Sequence, residues 1–234
     1  MTMEQAQALF AAHGCSLTEQ QYAQLCRYET ELVQYNEKVN LTAITESDAI
    51  WHKHFLDSAV ILAQIELPQG AALLDVGTGA GFPGMVLAVM RPDLQVTLLD
   101  SLQKRVVFLE QLAEALELPQ VHCIHGRAED LGHRPELREQ FDVVCARAVA
   151  ALPMLCEYCL PFVKQGGTFW ALKGPGEAAE DSAHAVEVLG GAMQTVLAYH
   201  PEDVGERQLI GIQKVSQTSP QYPRKPHRMK QKPL

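Results

Sequence analysis

From Ala71 onward, short apolar runs alternate with amphipathic stretches of helical spacing. "AALLDV", "QVTLLD", "VHCIH", "FDVVCARA" and "GGTFWALKG" read as strands, separated by "PGMVLAVM", "LQKRVVFLEQLAEALEL" and "LPMLCEYCLPFV". That alternation fits βαβ units and a largely parallel, doubly wound sheet, because a parallel neighbour needs a crossover long enough to hold a helix. After a helix near 176–189, "AMQTVLAYH" and "RQLIGIQKVS" have only "PEDVGE" between them, which predicts an antiparallel hairpin at one edge. The expected fold class is therefore α/β, Rossmann-like, mostly parallel with an antiparallel edge.

The first 65 residues read differently. Thr18 suits a helix cap before "EQQYAQLCRYETELVQYNEK", where Leu25, Tyr28, Leu32 and Tyr35 recur at helical spacing. Ser47 to Ile65 repeats the pattern with Ile50, Phe55, Val60 and Ile61. The expected division is a helical cap over 1–65, a catalytic α/β domain over 66–216 and a basic tail over 217–234. The longest apolar region is interrupted by Asp142, Arg147 and Glu157, so no membrane span is expected. No signal-peptide pattern is seen at the N-terminus, and the expected location is cytoplasmic. Cys156 and Cys159 form a C-x-x-C without a second pair, so core packing is expected there rather than zinc.

The string "LLDVGTGAGFPGMV" ends the first predicted strand. In a doubly wound sheet, ligands bind beyond the carboxyl ends of the strands, and glycines let a backbone turn tightly and approach a ligand closely. Gly79, Gly81 and Gly84 spell the dinucleotide pattern, which alone is weak. Asp75, two residues before Gly77, sharpens the reading. A carboxylate sits badly beside a pyrophosphate but suits an ammonium and a sulfonium, which favours S-adenosylmethionine over NAD. Asp100, at the end of the second strand, is placed to accept hydrogen bonds from ribose hydroxyls, with Ser101 free to cap the next helix. Ala128 and Glu129 in "GRAED" lie where the chain should pass an adenine. An NAD-dependent oxidoreductase is the rival, and it lacks a Tyr-x-x-x-Lys or a convincing His–Asp pair. A methyltransferase-like RNA-binding factor without turnover is the second rival, opposed by the complete glycine loop.

The strings "YNEKVNLTAI", "HFLDS", "LLDVGTGAGFPG", "DSLQKRVVFLEQL", "GRAED", "ARAVA", "ALKG" and "YPRKP" resemble the glucose-inhibited division protein B family, the 16S rRNA guanine-N7 methyltransferases. The resemblance runs from about residue 20 to the tail. It implies an S-adenosylmethionine-dependent methyltransferase fold, 16S rRNA or the small ribosomal subunit as partner, and guanine 527 of that RNA as target. It also implies that Gly77, Phe82, Ala128, Glu129 and Arg147 line the cofactor site.

Residue chemistry agrees with that target. Guanine N7 has a free lone pair at neutral pH, so no base must remove a proton before attack, and alignment in a dry pocket can supply up to about 7–11 kcal/mol. The segment after the fourth strand, "CARAVAAL", carries neither an amine-gripping Pro-Pro string nor an activated cysteine; Cys145 reads as core. Arg147 ends that strand and is the candidate for orienting substrate or cofactor. A bidentate grip on O6 and N7 is excluded, because it would block the reacting atom. The chain carries a net charge of −9, yet "YPRKPHRMKQKPL" holds Arg224, Lys225, Arg228, Lys230 and Lys232 with no acid. Arg224, Lys225 and Arg228 are the candidate RNA contacts, and neutralising them is expected to weaken RNA binding and leave cofactor affinity alone. Asn36, Lys38, Asn40 and Thr42 are candidates to touch RNA or close over the cofactor. His54 and Asp57 are expected to share a structural hydrogen bond. A monomer is expected.

Overall fold

The first strand, β1 (Ala72–Val76), is covered on both sides: Leu73, Leu74, Asp75 and Val76 are all buried, as a central parallel strand with helices on both faces requires. It pairs in parallel with β2 (Gln95–Asp100) and β4 (Phe141–Arg147). β2 pairs with β3 (Val121–His125) and β4 with β5 (Val163–Lys173), again in parallel. β6 (Gly191–Tyr199) and β7 (Arg207–Lys214) form the expected antiparallel hairpin, with β7 inserted between β5 and β6. The strand order is β3-β2-β1-β4-β5-β7-β6. This computed structural model describes residues 1–176, 178–201 and 203–234; positions 177 and 202, inside the predicted helix and hairpin loop, lie outside the described residues.

Alternation along the strands sorts the core into two layers. Leu73, Val96, Leu98, Val143 and Cys145 face one side. Leu74, Val76, Leu99, Val144 and Ala146 face the other. On the first side lie α6 (Gly84–Met90) and α7 (Gln103–Ala115), together with α1 (Met3–Ala12) and α2 (Glu19–Asn36). On the second lie α8 (Ala128–Leu131), α9 (Leu152–Cys159), α10 (Ala183–Val188) and the buried Tyr222 of the tail. Cys156 and Cys159 are wholly buried in that second layer, where both thiols pack against the sheet.

The N-terminal helices are tied to the glycine-rich loop. Thr18 caps α2 through a reciprocal box with Gln21, whose side chain also donates to the Val89 and Met90 carbonyls at the end of α6. Leu25, Tyr28 and Leu32 form the buried face of α2. The Tyr28 hydroxyl donates to the Ala80 carbonyl at 2.6 Å, and its ring stacks on Phe82 at 5.3 Å. Tyr28→Phe removes one hydrogen bond from a buried carbonyl, so urea unfolding should show a loss of about 1 kcal/mol; an unchanged midpoint would mean that the contact does not hold the loop.

The stretch expected as one helix over Ser47–Ile65 is divided. It runs as α3 (Ser47–Ile50), a π-turn over Trp51–Leu56, α4 (Asp57–Ala59) and α5 (Ile61–Gln64). Packing sets the wider turn: the Trp51 indole donates to Glu29, and Trp51 and Phe55 meet edge to face at 5.2 Å. The consequence is that His54 and Asp57 both face the end of β4. Among the described residues no helix is long and apolar enough to cross a membrane.

Candidate functional site

The loop after β1 is built around Asp75. Its carboxylate is wholly buried; Oδ2 accepts from the Thr78 hydroxyl at 2.7 Å and from the Gly84 amide at 2.8 Å. A Cβ on Gly84 would meet that carboxylate at 2.8 Å, so the close approach demands glycine. Asp75, expected to meet the cationic end of the ligand, has one carboxylate oxygen committed to the loop itself. It lies beneath the loop and fixes it. Its second oxygen, Oδ1, is buried with no partner, and burial raises the carboxyl's pKa from 3.8 to about 6.

Gly77 has φ +72°, and a Cβ there would come within 2.8 Å of Val149 Cγ2. The glycine loop and the segment after β4 thus touch. On one side of that contact lies a cleft of about 320 Å³ at the carboxyl ends of β1, β2 and β3, lined by Gly77, Ser101, Ala128, Glu129, Val149 and Tyr158 among others. This is where a doubly wound sheet presents a nucleotide site. Gly77, Ala128 and Glu129 are thereby brought together. Asp100 is only 2% exposed and turns towards the loop: Oδ2 accepts from the Gly79 amide at 2.9 Å and from Arg105 at 3.3 Å, and Oδ1 from the Leu102 amide at 2.9 Å. The residue before α7 is Leu102 without a side-chain cap, so it is Asp100, not Ser101, that accepts at that helix start.

On the other side of Ala148–Ala150 lies a second cavity of about 420 Å³, lined by Lys53, His54, Asp57, Arg147, Lys173 and Arg207 among others. Arg147 belongs to this cavity and not to the nucleoside cleft. Its Nη1 donates to Asp57 Oδ2 at 3.1 Å, and its Nη2 meets His54 Nδ1 at 3.2 Å. Arg207 Nε donates to Asp57 Oδ1 at 3.2 Å. Asp57, 3% exposed, is thus gripped by two arginines, and the His54–Asp57 bond expected from their spacing is replaced by a shared partner. His54 Nδ1 lies between Arg147 Nη2 and the Lys53 carbonyl at 3.1 Å, and Nε2 meets the Thr42 hydroxyl at 2.9 Å, so both ring nitrogens are engaged. Burial and the adjacent Arg147 lower the His54 pKa to about 4, keeping it neutral. Nothing in the sequence spacing announces this cluster, whose members are 90 and 150 residues apart.

Three other expectations are revised. Phe82 is stacked between Tyr28 at 5.3 Å and His54 at 4.3 Å, with the Arg147 guanidinium 5.1 Å from its centroid. It joins loop, cap and strand end instead of facing the cleft. The Asn36 side chain accepts from the Leu41 and Thr42 amides and donates to the Thr42 carbonyl, so it shapes its own loop. In the tail, Arg224 is not an exposed cation. Its Nε and Nη2 grip both oxygens of Glu157, which is 1% exposed, whereas Lys225 and Arg228 are exposed. Cys145 is buried and desolvation pushes its thiol well above the ordinary range, which suits core and not a nucleophile.

The donor set fits an adenosine ligand carrying a cation. The orphaned Asp75 Oδ1 is an acceptor awaiting a donor, and a positively charged ligand group favours its ionised form. Affinity for S-adenosylhomocysteine, whose ammonium is cationic, should therefore rise as pH goes from 5 to 7, approaching tenfold per unit below about pH 6. For the ligand-free fold the sign is opposite: a carboxyl with a raised pKa favours folding below about pH 4, a contribution lost as pH rises through about 6. Calorimetric titration across that range checks the first statement; a flat profile would remove Asp75 from ligand binding.

Residues 21–209 match the family model described as rRNA small subunit methyltransferase G. A ribosomal RNA small subunit methyltransferase G from Staphylococcus saprophyticus is 47% identical over 227 residues, covering 96% of this chain and 95% of that protein. One from Bacillus cytotoxicus is 45% identical over 229 residues, covering 97% and 96%. Among solved structures, a 16S rRNA (adenine(1408)-N(1))-methyltransferase from Catenulisporales acidiphilia superimposes with a TM-score of 0.53 at 14% identity, over 64% of this chain and 87% of that one, a likeness of fold.

Proposed function

Because this chain belongs to the rRNA small subunit methyltransferase G family, we propose that it methylates N7 of a guanine in 16S rRNA, at position 527, with S-adenosylmethionine as donor. The observation that carries the reading is the pair of adjoining cavities on either side of Ala148–Ala150, one at the nucleotide end of the sheet and one lined by cations. Bound in the first cavity, S-adenosylmethionine supplies a methyl group on a sulfonium, an electrophile that a neutral ring nitrogen can attack.

The chain's own task is to bind and align. Gly77, Ala128 and Glu129 shape the nucleoside cleft, and Asp75 and Asp100 hold the glycine loop that forms its floor. Across Val149, Arg147, Arg207, Lys53 and Lys173 give the second cavity a positive lining suited to an RNA phosphate backbone. Two of those cations share Asp57, so the excess charge is moderate and the guanidinium groups are held in place. His54 is neutral at physiological pH and needs to take no proton, in keeping with attack by a lone pair that is already free. Proximity in such a site is the principal source of rate. Lys225 and Arg228, exposed on the basic tail, add further phosphate contacts.

The experiment is to map N7-methylguanine in small-subunit rRNA from cells lacking the gene, before and after incubation with protein and donor, by borohydride reduction and aniline cleavage followed by primer extension. One new stop at guanine 527 is expected. Methylation at another atom or at none would overturn the assignment.

A further inference from the structure

We propose that the C-terminal helix is a wall of the nucleoside cleft, locked there by the Arg224–Glu157 pair, so that the tail governs cofactor binding. The inference rests on the reading of that cleft as the S-adenosylmethionine site. The helix, α11 (Pro226–Gln231), places Pro226 and Lys230 in the lining of the same cleft as Gly77, Ala128 and Glu129. Met229 between them is 1% exposed and fixes the helix to the body.

The anchoring is out of proportion to a loose RNA-binding tail. Arg224 donates through its backbone amide at 2.7 Å and through Nε at 2.8 Å to Glu157 Oε1, and through Nη2 at 2.7 Å to Oε2. Its Nη1 reaches the Lys232 carbonyl at 3.0 Å, so one guanidinium ties both ends of α11 to a single buried carboxylate. Glu157 lies on α9, the helix that also brings Met154 and Tyr158 to the cleft. One pair therefore sets the spacing between two walls. Upstream, Arg138 donates to the Gly132, Thr218, Ser219 and Tyr222 carbonyls, and His133 Nε2 pairs with the Pro223 carbonyl at 2.8 Å. Within one basic run, then, Arg224 positions the wall, and of the exposed Lys225, Arg228 and Lys230 it is Lys230 that, with Pro226, lines the cleft.

Calorimetry with S-adenosylhomocysteine tests this on the full-length chain. Arg224→Ala should weaken binding about tenfold, through loss of the whole wall's alignment, and Lys230→Ala about threefold, through loss of one wall contact. Lys225→Ala and Arg228→Ala should stay within about twofold of the parent chain. Hydrogen exchange on the unmodified chain gives a second readout that does not depend on variants folding: S-adenosylhomocysteine should slow the amides of 226–231. Unchanged affinity for folded Lys230→Ala and Arg224→Ala, or no slowing over 226–231, would overturn the proposal. An unmodified chain that fails to bind S-adenosylhomocysteine would instead overturn the reading of the cleft, and the inference with it.

Discussion

Arg147→Lys is expected to lower kcat/KM for rRNA methylation by about 100-fold while S-adenosylhomocysteine affinity stays within about twofold. The arginine meets Asp57 and His54 through different nitrogens of one planar fork and lies over the Phe82 ring. A lysine keeps the charge but has one terminal nitrogen, so it can hold only part of that arrangement. The second cavity would keep its charge and lose its geometry, and a misplacement of about 1 Å is enough for a loss of that size. Arg147→Ala is the blunter variant: it leaves Asp57 buried with Arg207 as its remaining ion-pair partner, and part of any loss would be instability, since breaking a buried pair can cost about 3–5 kcal/mol. Steady-state kinetics with a melting curve separates the two effects. Turnover equal to that of the parent would detach Arg147 from acceptor alignment.

Asp100→Ala should weaken S-adenosylhomocysteine by about 2–4 kcal/mol, from charged hydrogen bonds of about 1.5–3 kcal/mol each. The structure adds a second reason for a large effect. Asp100 already receives the Gly79 and Leu102 amides, so it joins the glycine loop to the start of α7. A carboxylate has about four acceptor positions, and the contact from Arg105, at 3.3 Å, is the longest of the three in use. On the proposed reading, a ribose diol takes that position and the vacant one. Asp100→Asn is the informative control: it keeps one acceptor oxygen and the side chain's shape, so it should retain the fold and still lose most of the affinity. Calorimetry reads both; wild-type affinity in Asp100→Asn would show that the carboxylate serves the loop alone.

Local pattern carried the fold well, and the reason lies in particular residues. Alternation such as Leu73/Leu74 and Val143/Val144 reports which residues lie on opposite faces, Thr18 with Gln21 reports a helix start, and the glycine string reports a tight turn at the end of β1. Each signal sits within a few residues. The side-chain pairs that organise the site do not: Asp57 meets Arg147 and Arg207, and Glu157 meets Arg224 across 67 residues. Periodicity says nothing about which distant charges meet. The direction of Asp75 was equally hidden, because a buried carboxylate satisfied by Thr78 and Gly84 has the same sequence as an exposed one. The basic tail shows the same limit: Arg224, Lys225 and Arg228 are alike in a charge count, and only the neighbouring acid separates them.

The most direct test is a crystal structure of the chain with S-adenosylhomocysteine. The account predicts the adenosine against Gly77, Ala128 and Glu129, with the sulfur end directed at the Ala148–Ala150 wall and Arg147 beyond it. A nucleoside lodged instead among Arg147, Arg207 and Lys173, or a cleft that stays empty at saturating ligand, would contradict it.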